Sequence, residues 1–266
     1  MNLPVDYSLE GRHAVVCGST QGIGLACAMR FAELGASCTL VARNEPALQA
    51  AASALPTPAN QTHRIAVADF ADPTRVRIAI HDIVKGHGDV HILLNNTGGP
   101  PHGAIVDADP KDFLRAIEMH VGNNQILLQA VLPGMKKAQY GRVINIISTS
   151  VREPIPGLGV SNTTRWAVAA WAKTVAGEVA RFGVTVNNVL PGFTDTARLG
   201  SLIKAKADAG GTSEDAVSTT MVSKIPMARL GEPKEIAAAA GFLASPAASY
   251  ITGINVPVDG GRLSSM

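Results

Sequence analysis

The seven residues Gly18-Ser19-Thr20-Gln21-Gly22-Ile23-Gly24 have the types and spacing that let a backbone approach a diphosphate. Glycines are needed there because the chain must turn sharply, pass close to the phosphates and start a helix tight against the preceding strand, with its unpaired N–H groups and positive dipole end facing the anion. The spacing is Gly-x3-Gly-x-Gly, and no Gly-Lys-Ser/Thr sequence follows that would suggest a nucleoside triphosphatase. The next segment ends Leu40-Val41-Ala42-Arg43, with no carboxylate until Glu45. An acid there would hold ribose hydroxyls, whereas the Arg43 guanidinium fork matches a 2′-phosphate, so the residues favour NADP(H) over NAD(H). Asp69 is placed to accept from an adenine amino group. Asn95-Asn96-Thr97-Gly98-Gly99 supplies amides to tie loops together and glycines that let the backbone pass near a cofactor.

These loops need a frame that brings them to one edge. Short apolar runs at His13–Cys17, Ser37–Val41, His63–Val67, His91–Asn95, Arg142–Ile147, Thr185–Leu190 and Asn255–Val258 read as strands, and stretches long enough for helices separate the first six. Strands too apolar for one wet face, alternating with helices, predict an α/β domain with a doubly wound parallel sheet. Right-handed crossovers then gather residues 18–24, 42–44, 69–71, 96–103, 148–160 and 191–200 on one rim, where a site belongs. The longest helical candidate spans 110–137, opened by Asp109-Pro110, and Pro133 is expected to break its last turn. Residues 192–222, with Gly210-Gly211, read as a mobile insertion or lid that closes over a substrate. A last helix is expected over 233–243.

Composition narrows the function. With 266 residues, 23 Lys+Arg against 21 Asp+Glu and 4% aromatic residues, the chain has neither the charge nor the stacking platforms of a nucleic-acid binder. No run of 18 apolar residues marks a membrane span, and the N-terminal segment shows no apolar leader. Cys17, Cys27 and Cys38 lack CxxC spacing and sit in apolar segments, which fits a reducing, cytoplasmic setting. The seven histidines are scattered without metal-ligand spacing, and no Gly-x-Ser-x-Gly elbow occurs.

From Gly11 to Gly261 the chain resembles the short-chain dehydrogenase/reductase family, in particular its 3-oxoacyl carrier-protein reductase-like members. Gly18-x-x-x-Gly22-x-Gly24 is similar to the family's cofactor loop, Asn95-Asn96-Thr97-Gly98 to its Asn-Asn-Ala-Gly element, and Asn145-Ile146-Ile147-Ser148 to the strand that delivers the catalytic serine. Pro191-Gly192-Phe193-Thr194-Asp195-Thr196 resembles the loop beside the nicotinamide, and Thr252-Gly253 through Val258-Asp259-Gly260-Gly261 the closing strand. The resemblance implies a single Rossmann-fold domain over 1–266, a cofactor held by residues 18–24, Arg43, Asp69, Asn96, Gly98, Arg165, Pro191, Gly192, Thr194 and Thr196, and a homodimer or homotetramer. The apolar stretches Ala237–Leu243 and Tyr250–Val256 are candidates for the subunit contact.

The catalytic positions depart from the family. It uses Asn, Ser, Tyr and Lys, with Tyr-x-x-x-Lys thirteen residues after the serine. Counting from Ser148 reaches Ser161, and four further Arg165, so the motif reads Ser161-Asn162-Thr163-Thr164-Arg165, while His120 stands in the asparagine position. A serine hydroxyl has a far higher pKa than the roughly 10 of a phenol and cannot take its place as acid. The expected set is therefore Ser148 polarising a carbonyl, Arg165 stabilising the oxyanion and the cofactor ribose, and His120 or His102 delivering a proton. The expected activity is hydride transfer between NADP(H) and a carbonyl/alcohol pair of a small-molecule substrate. Pro154, Ile155, Pro156, Leu158, Phe193, Leu199 and Leu202 suggest a partly apolar pocket. The alternatives are a dinucleotide-binding regulatory or subunit-like protein, and a non-redox lyase or isomerase on the same fold.

Overall fold

His13–Cys17 is buried at all five positions, and so forms a central strand, β1, with helices on both its faces. The computed structural model describes residues 6–100 and 102–265. The start of the N-terminal segment (residues 1–5) and the middle of the 96–103 loop (Pro101) lie outside the described residues. Around β1 the chain runs α1 (Gly22–Glu33), β2 (Ser37–Ala42), α2 (Glu45–Ala54), β3 (Arg64–Val67), α3 (Pro73–His87) and β4 (Ile92–Asn95). It continues through α4 (Pro110–Ile117), a π-helical turn (Glu118–Gly122), α5 (Asn123–Ala138), β5 (Gly141–Ile146), α6 (Gly159–Val179) and β6 (Val184–Pro191). Then follow α7 (Ala197–Gly210), α8 (Glu214–Val222), α9 (Pro233–Ala244) and β7 (Asn255–Val258).

The sheet order is β3-β2-β1-β4-β5-β6-β7, with every pairing parallel. Strand order reverses between β1 and β4, and the crevice at that switch point is where a doubly wound sheet opens for a ligand. Alternate residues feed two cores. Ala14, Val16, Leu40, Leu94 and Ile144 pack under α1, α2 and α9, whereas Val15, Val41, Leu93, Val143 and Val186 pack under α3, α5 and α6.

Four asparagines sit in register across the site side of the sheet. Asn95 faces Asn145, Asn145 faces Asn188, and Asn188 faces Asn255 on neighbouring strands. The first three each donate from Nδ2 to the Oδ1 of the next at 2.8 Å, and Asn95 Oδ1 is left buried without a partner.

Two expectations are corrected, on the 110–137 helix and on the subunit contact, and the 192–222 segment gains definite elements. The 110–137 segment is helical throughout, but the π-helical turn divides it and swings His120 into the interior. Pro133 does not break the last turn. Its ring lies on the exposed side of α5, while Leu127, Leu128, Val131 and Met135 anchor the helix, and burial there outweighs one lost backbone hydrogen bond. Residues 197–210 and 214–222 are helices α7 and α8, packed together through Leu199, Ile203 and Met221. Much of the Ala237–Leu243 stretch, offered above as a subunit contact, is buried within the chain. Ile236, Ala237, Ala240 and Leu243 belong to the core that α9 forms with α1, leaving Phe242, Tyr250 and Ile254 exposed.

Candidate active site

The glycine loop leaves β1 with Gly18 at φ +60° and enters α1 with Gly22 at φ +56°, conformations that favour glycine. A Cβ at Gly24 would lie 2.1 Å from the Gly18 carbonyl oxygen, so α1 begins in contact with the loop. Asn96 fastens the β4 loop to this turn by donating to the carbonyls of Cys17 and Gly18 at 3.3 and 3.2 Å. Gln21, the residue before α1, makes no side-chain cap, and the first turn of α1 carries no acid. The Ser19 hydroxyl oxygen is buried without a partner, and a Cβ at Gly98 would meet open space. Uncapped N–H groups, an orphaned hydroxyl and free space above the β4 loop are the features a dinucleotide would complete. Arg43 is exposed at the end of β2. Asp69 is exposed after β3, with Oδ1 accepting from the Ala71 N–H at 3.0 Å.

Across the crevice, Ser148, Ser161, Arg165 and His102 line one cavity with Ile23, Pro191, Gly192, Thr194 and Thr196. Thus the sequence-derived residues of the 148–160 and 191–200 loops converge with α6 on the rim. Thr196 caps α7 by accepting from the Leu199 N–H at 3.3 Å, and its Cγ2 would lie 3.3 Å from a Cβ at Gly22, which brings this loop against the start of α1. Ser148 Oγ accepts from the Ser150 N–H at 3.0 Å, which leaves its own O–H free to donate into the cavity. Arg165 is 9% exposed and donates from Nη1 to the Ile146 carbonyl at 3.0 Å.

The two ionised side chains that line this cavity, Arg165 and Arg198, are both guanidinium groups. Burial, with the nearby Arg198, lowers Arg165 to about 10, a value at which it still carries its charge at neutral pH. Burial also drives His120 down to about 2, helped by Arg165 and Arg198. His120 lies behind the cavity lining, with Nδ1 2.9 Å from Thr97 Oγ1 and Nε2 buried without a partner. The imidazole is therefore neutral, and the expectation that it stores a proton for delivery near neutral pH is corrected: it is a hydrogen-bonding group. His102 is exposed at the cavity, lowered by partial burial, Arg198 and Lys206.

The family model of enoyl-(acyl carrier protein) reductase matches residues 18–262. The chain belongs to this family of short-chain dehydrogenase/reductases. The 3-oxoacyl-[acyl-carrier-protein] reductase FabG of Vibrio cholerae is 34% identical over 256 residues, covering 96% of this chain and 98% of the relative. The L-sorbose reductase of Gluconobacter frateurii, solved with NADPH and L-sorbose, superposes with a TM-score of 0.91 at 29% identity, covering 98% of this chain and all of the other. A 3-oxoacyl (acyl-carrier-protein) reductase of Agrobacterium tumefaciens with NADP bound gives 0.85 at 28% identity, with 98% of each chain covered.

Within this family fold the apolar pocket divides. Ile155, Leu158, Phe193, Leu199 and Leu202 share the cavity with Ser148, whereas Pro154 and Pro156 line a neighbouring groove with Ile105 and Trp166. Sequence reasoning placed Thr97 in the β4 loop but missed its pairing with His120, and it missed Arg198, which donates from Nη2 to the Pro100 carbonyl at 3.2 Å. The available signal for Arg198 was a cation in the first turn of a helix, where the dipole disfavours it.

Proposed function

We propose that this oxidoreductase uses NADP(H) to interconvert a carbonyl and an alcohol without a phenolic acid. The single observation that carries the reading is the buried Arg165, pinned to Ile146 on the wall that also presents Ser148 and Ser161. Residues 18–24, Asn96, Gly98 and the 191–196 loop hold the dinucleotide, with Arg43 on the 2′-phosphate and Asp69 beside the adenine. When bound, NADPH supplies the hydride.

Ser148 donates its free O–H to the carbonyl oxygen and so fixes the reacting carbon in place. Arg165 spends one N–H on Ile146, and its remaining donors face the developing oxyanion and the ribose. A fixed buried cation stabilises that oxyanion while it waits for a proton, which relaxes the need for a phenol in the rate-determining step. His120, held neutral against Thr97, orders the wall behind Arg165, and Ser161 adds a hydroxyl beside it. His102, on the solvent side, relays the proton to the alkoxide. Helices α7 and α8 close over the substrate as a lid, and Tyr250 and Ile254 contribute to a contact between copies.

Titration of the full chain with NADPH and with NADH, followed by a carbonyl panel with absorbance of the reduced nicotinamide recorded, tests the reading. Tighter NADPH binding and carbonyl-dependent oxidation support it. The Ser161 substitution favours a second reading, a dinucleotide-binding regulatory member, which predicts NADPH binding with no oxidation across the panel.

A further inference from the structure

The cavity that contains Ser148 carries two guanidinium groups, Arg165 on its inner wall and Arg198 at its mouth. Among the described residues neither is ion-paired: Arg165 meets the Ile146 carbonyl and Arg198 the Pro100 carbonyl. A guanidinium has five N–H donors, so most of this capacity is unspent by the protein. Arg198 also stands in the first turn of α7, beside the positive end of the helix and with no acid in that turn. His102 at the same cavity feels Arg198 and Lys206, and no carboxylate. Like charges gathered without a counter-ion lower stability unless an arriving anion offsets them.

We infer that the substrate is an organic acid, whose carboxylate is held by Arg198 at the cavity mouth while its carbonyl reaches Ser148 and Arg165. This deepens the reading given above and rests on it for the reacting carbonyl. The body of the acid is largely apolar, because Ile147, Leu158, Phe193, Leu199 and Leu202 line the cavity between the two guanidinium groups and the hydroxyls of Ser148, Ser161 and Thr194. Bidentate pairing of a planar carboxylate with a guanidinium fixes orientation as well as affinity, and so sets which carbonyl carbon faces the cofactor. The competing anion is the cofactor's own diphosphate. Arg198 packs on the β4 loop, where Nη2 would lie 2.6 Å from a Cβ at Gly99, whereas the residue that approaches the start of α1 is Thr196.

The test is calorimetric titration of the full chain, alone and saturated with NADPH, using 3-phenylpropionate and the uncharged 3-phenylpropionamide of the same shape. Binding of the acid about tenfold or more tighter than the amide is expected, as befits a charge-assisted pair. In Arg198→Gln the two should bind alike while NADPH affinity is retained, and Arg198→Lys should restore part of the discrimination. Equal binding of acid and amide by the natural chain would overturn the inference. So would an Arg198→Gln variant that loses NADPH affinity and keeps its preference for the acid, since Arg198 would then belong to the diphosphate. Failure to bind NADPH at all would instead remove the cofactor reading, and the titration of the protein alone would still decide whether the cavity selects an anion.

Discussion

Arg165 donates from Nη1 to the carbonyl oxygen of Ile146 at 3.0 Å, which holds a buried charge two residues before Ser148 at the end of β5. Replacing it with methionine should lower kcat for carbonyl reduction by about 10²–10³-fold, the usual cost of losing an oxyanion donor. The variant should also lose about 1–3 kcal/mol of stability, because the Ile146 carbonyl is left buried and unpaired. Single-turnover NADPH oxidation and a denaturant melt measure the two effects, and Arg165→Lys should recover part of the rate.

Arg43 stands exposed at the end of β2, where no carboxylate precedes Glu45. Arg43→Ala should raise the NADPH Kd by about 10- to 100-fold through loss of a charge-assisted contact, with NADH binding unchanged. Fluorescence titration with both nucleotides reads this difference, and equal losses for the two would remove Arg43 from the 2′-phosphate.

Gly24→Ala places a Cβ 2.1 Å from the Gly18 carbonyl oxygen, so the loop must shift. Overpacking of this kind costs about 1–3 kcal/mol, and cofactor affinity should fall with the melting temperature. Gly98→Ala is the matching control. Its Cβ enters open space, so the fold should be unharmed, and a selective loss of NADPH affinity there would report a cofactor passing over the β4 loop.

Burial lowers His120 to about 2 and His13 to about 4, from an ordinary value of 6.5. As pH falls below 6.5 the unfolded chain takes up protons at both positions and the native chain does not, so stability declines with acidification. The slope is about 1.4 kcal/mol per pH unit for each histidine, with the His13 share ending near pH 4. Urea denaturation at pH 7 and pH 5 should show this loss, reduced in His120→Gln. The pH profile of turnover should carry no limb assignable to His120 between pH 5 and 9.

Cys17, Cys27 and Cys38 are buried, and burial pushes each thiol up to about 12. A thiol-specific chromogenic disulfide should leave all three unmodified in the native chain and react with three per chain in denaturant.

The sheet was legible because its strands are short apolar runs with helices between them, and the 18–24 loop was legible because glycine spacing carries backbone geometry directly. Strand ends were less so. His63 was expected in β3, yet its Nδ1 accepts from the Cys38 N–H at 3.2 Å, and the strand starts at Arg64. The π-helical turn has no local signature: it follows from how α4 and α5 pack, and it is what sends His120 inward beside Thr97. The contact of Arg198 with the Gly99–Pro100 segment joins residues far apart in sequence, so only the fold puts a second guanidinium on the cavity. Ser148, Ser161, Arg165 and His102 were found together because all come from rim loops or from the first turns of α6, whereas the protonation of His120 depends on burial that spacing does not encode.

The asparagine ladder gives the sheet a direction. Asn95, Asn145 and Asn188 all point their amide nitrogens toward Asn255, so their dipoles add rather than cancel. One amide cannot rotate by itself without setting oxygen against oxygen or nitrogen against nitrogen, and the row has only two consistent arrangements, which interconvert as a set. In the one adopted, the unpaired end at Asn95 is an oxygen. A bare acceptor therefore lies one residue before Asn96, a small negative pole beneath the loop that carries Asn96 and Gly98.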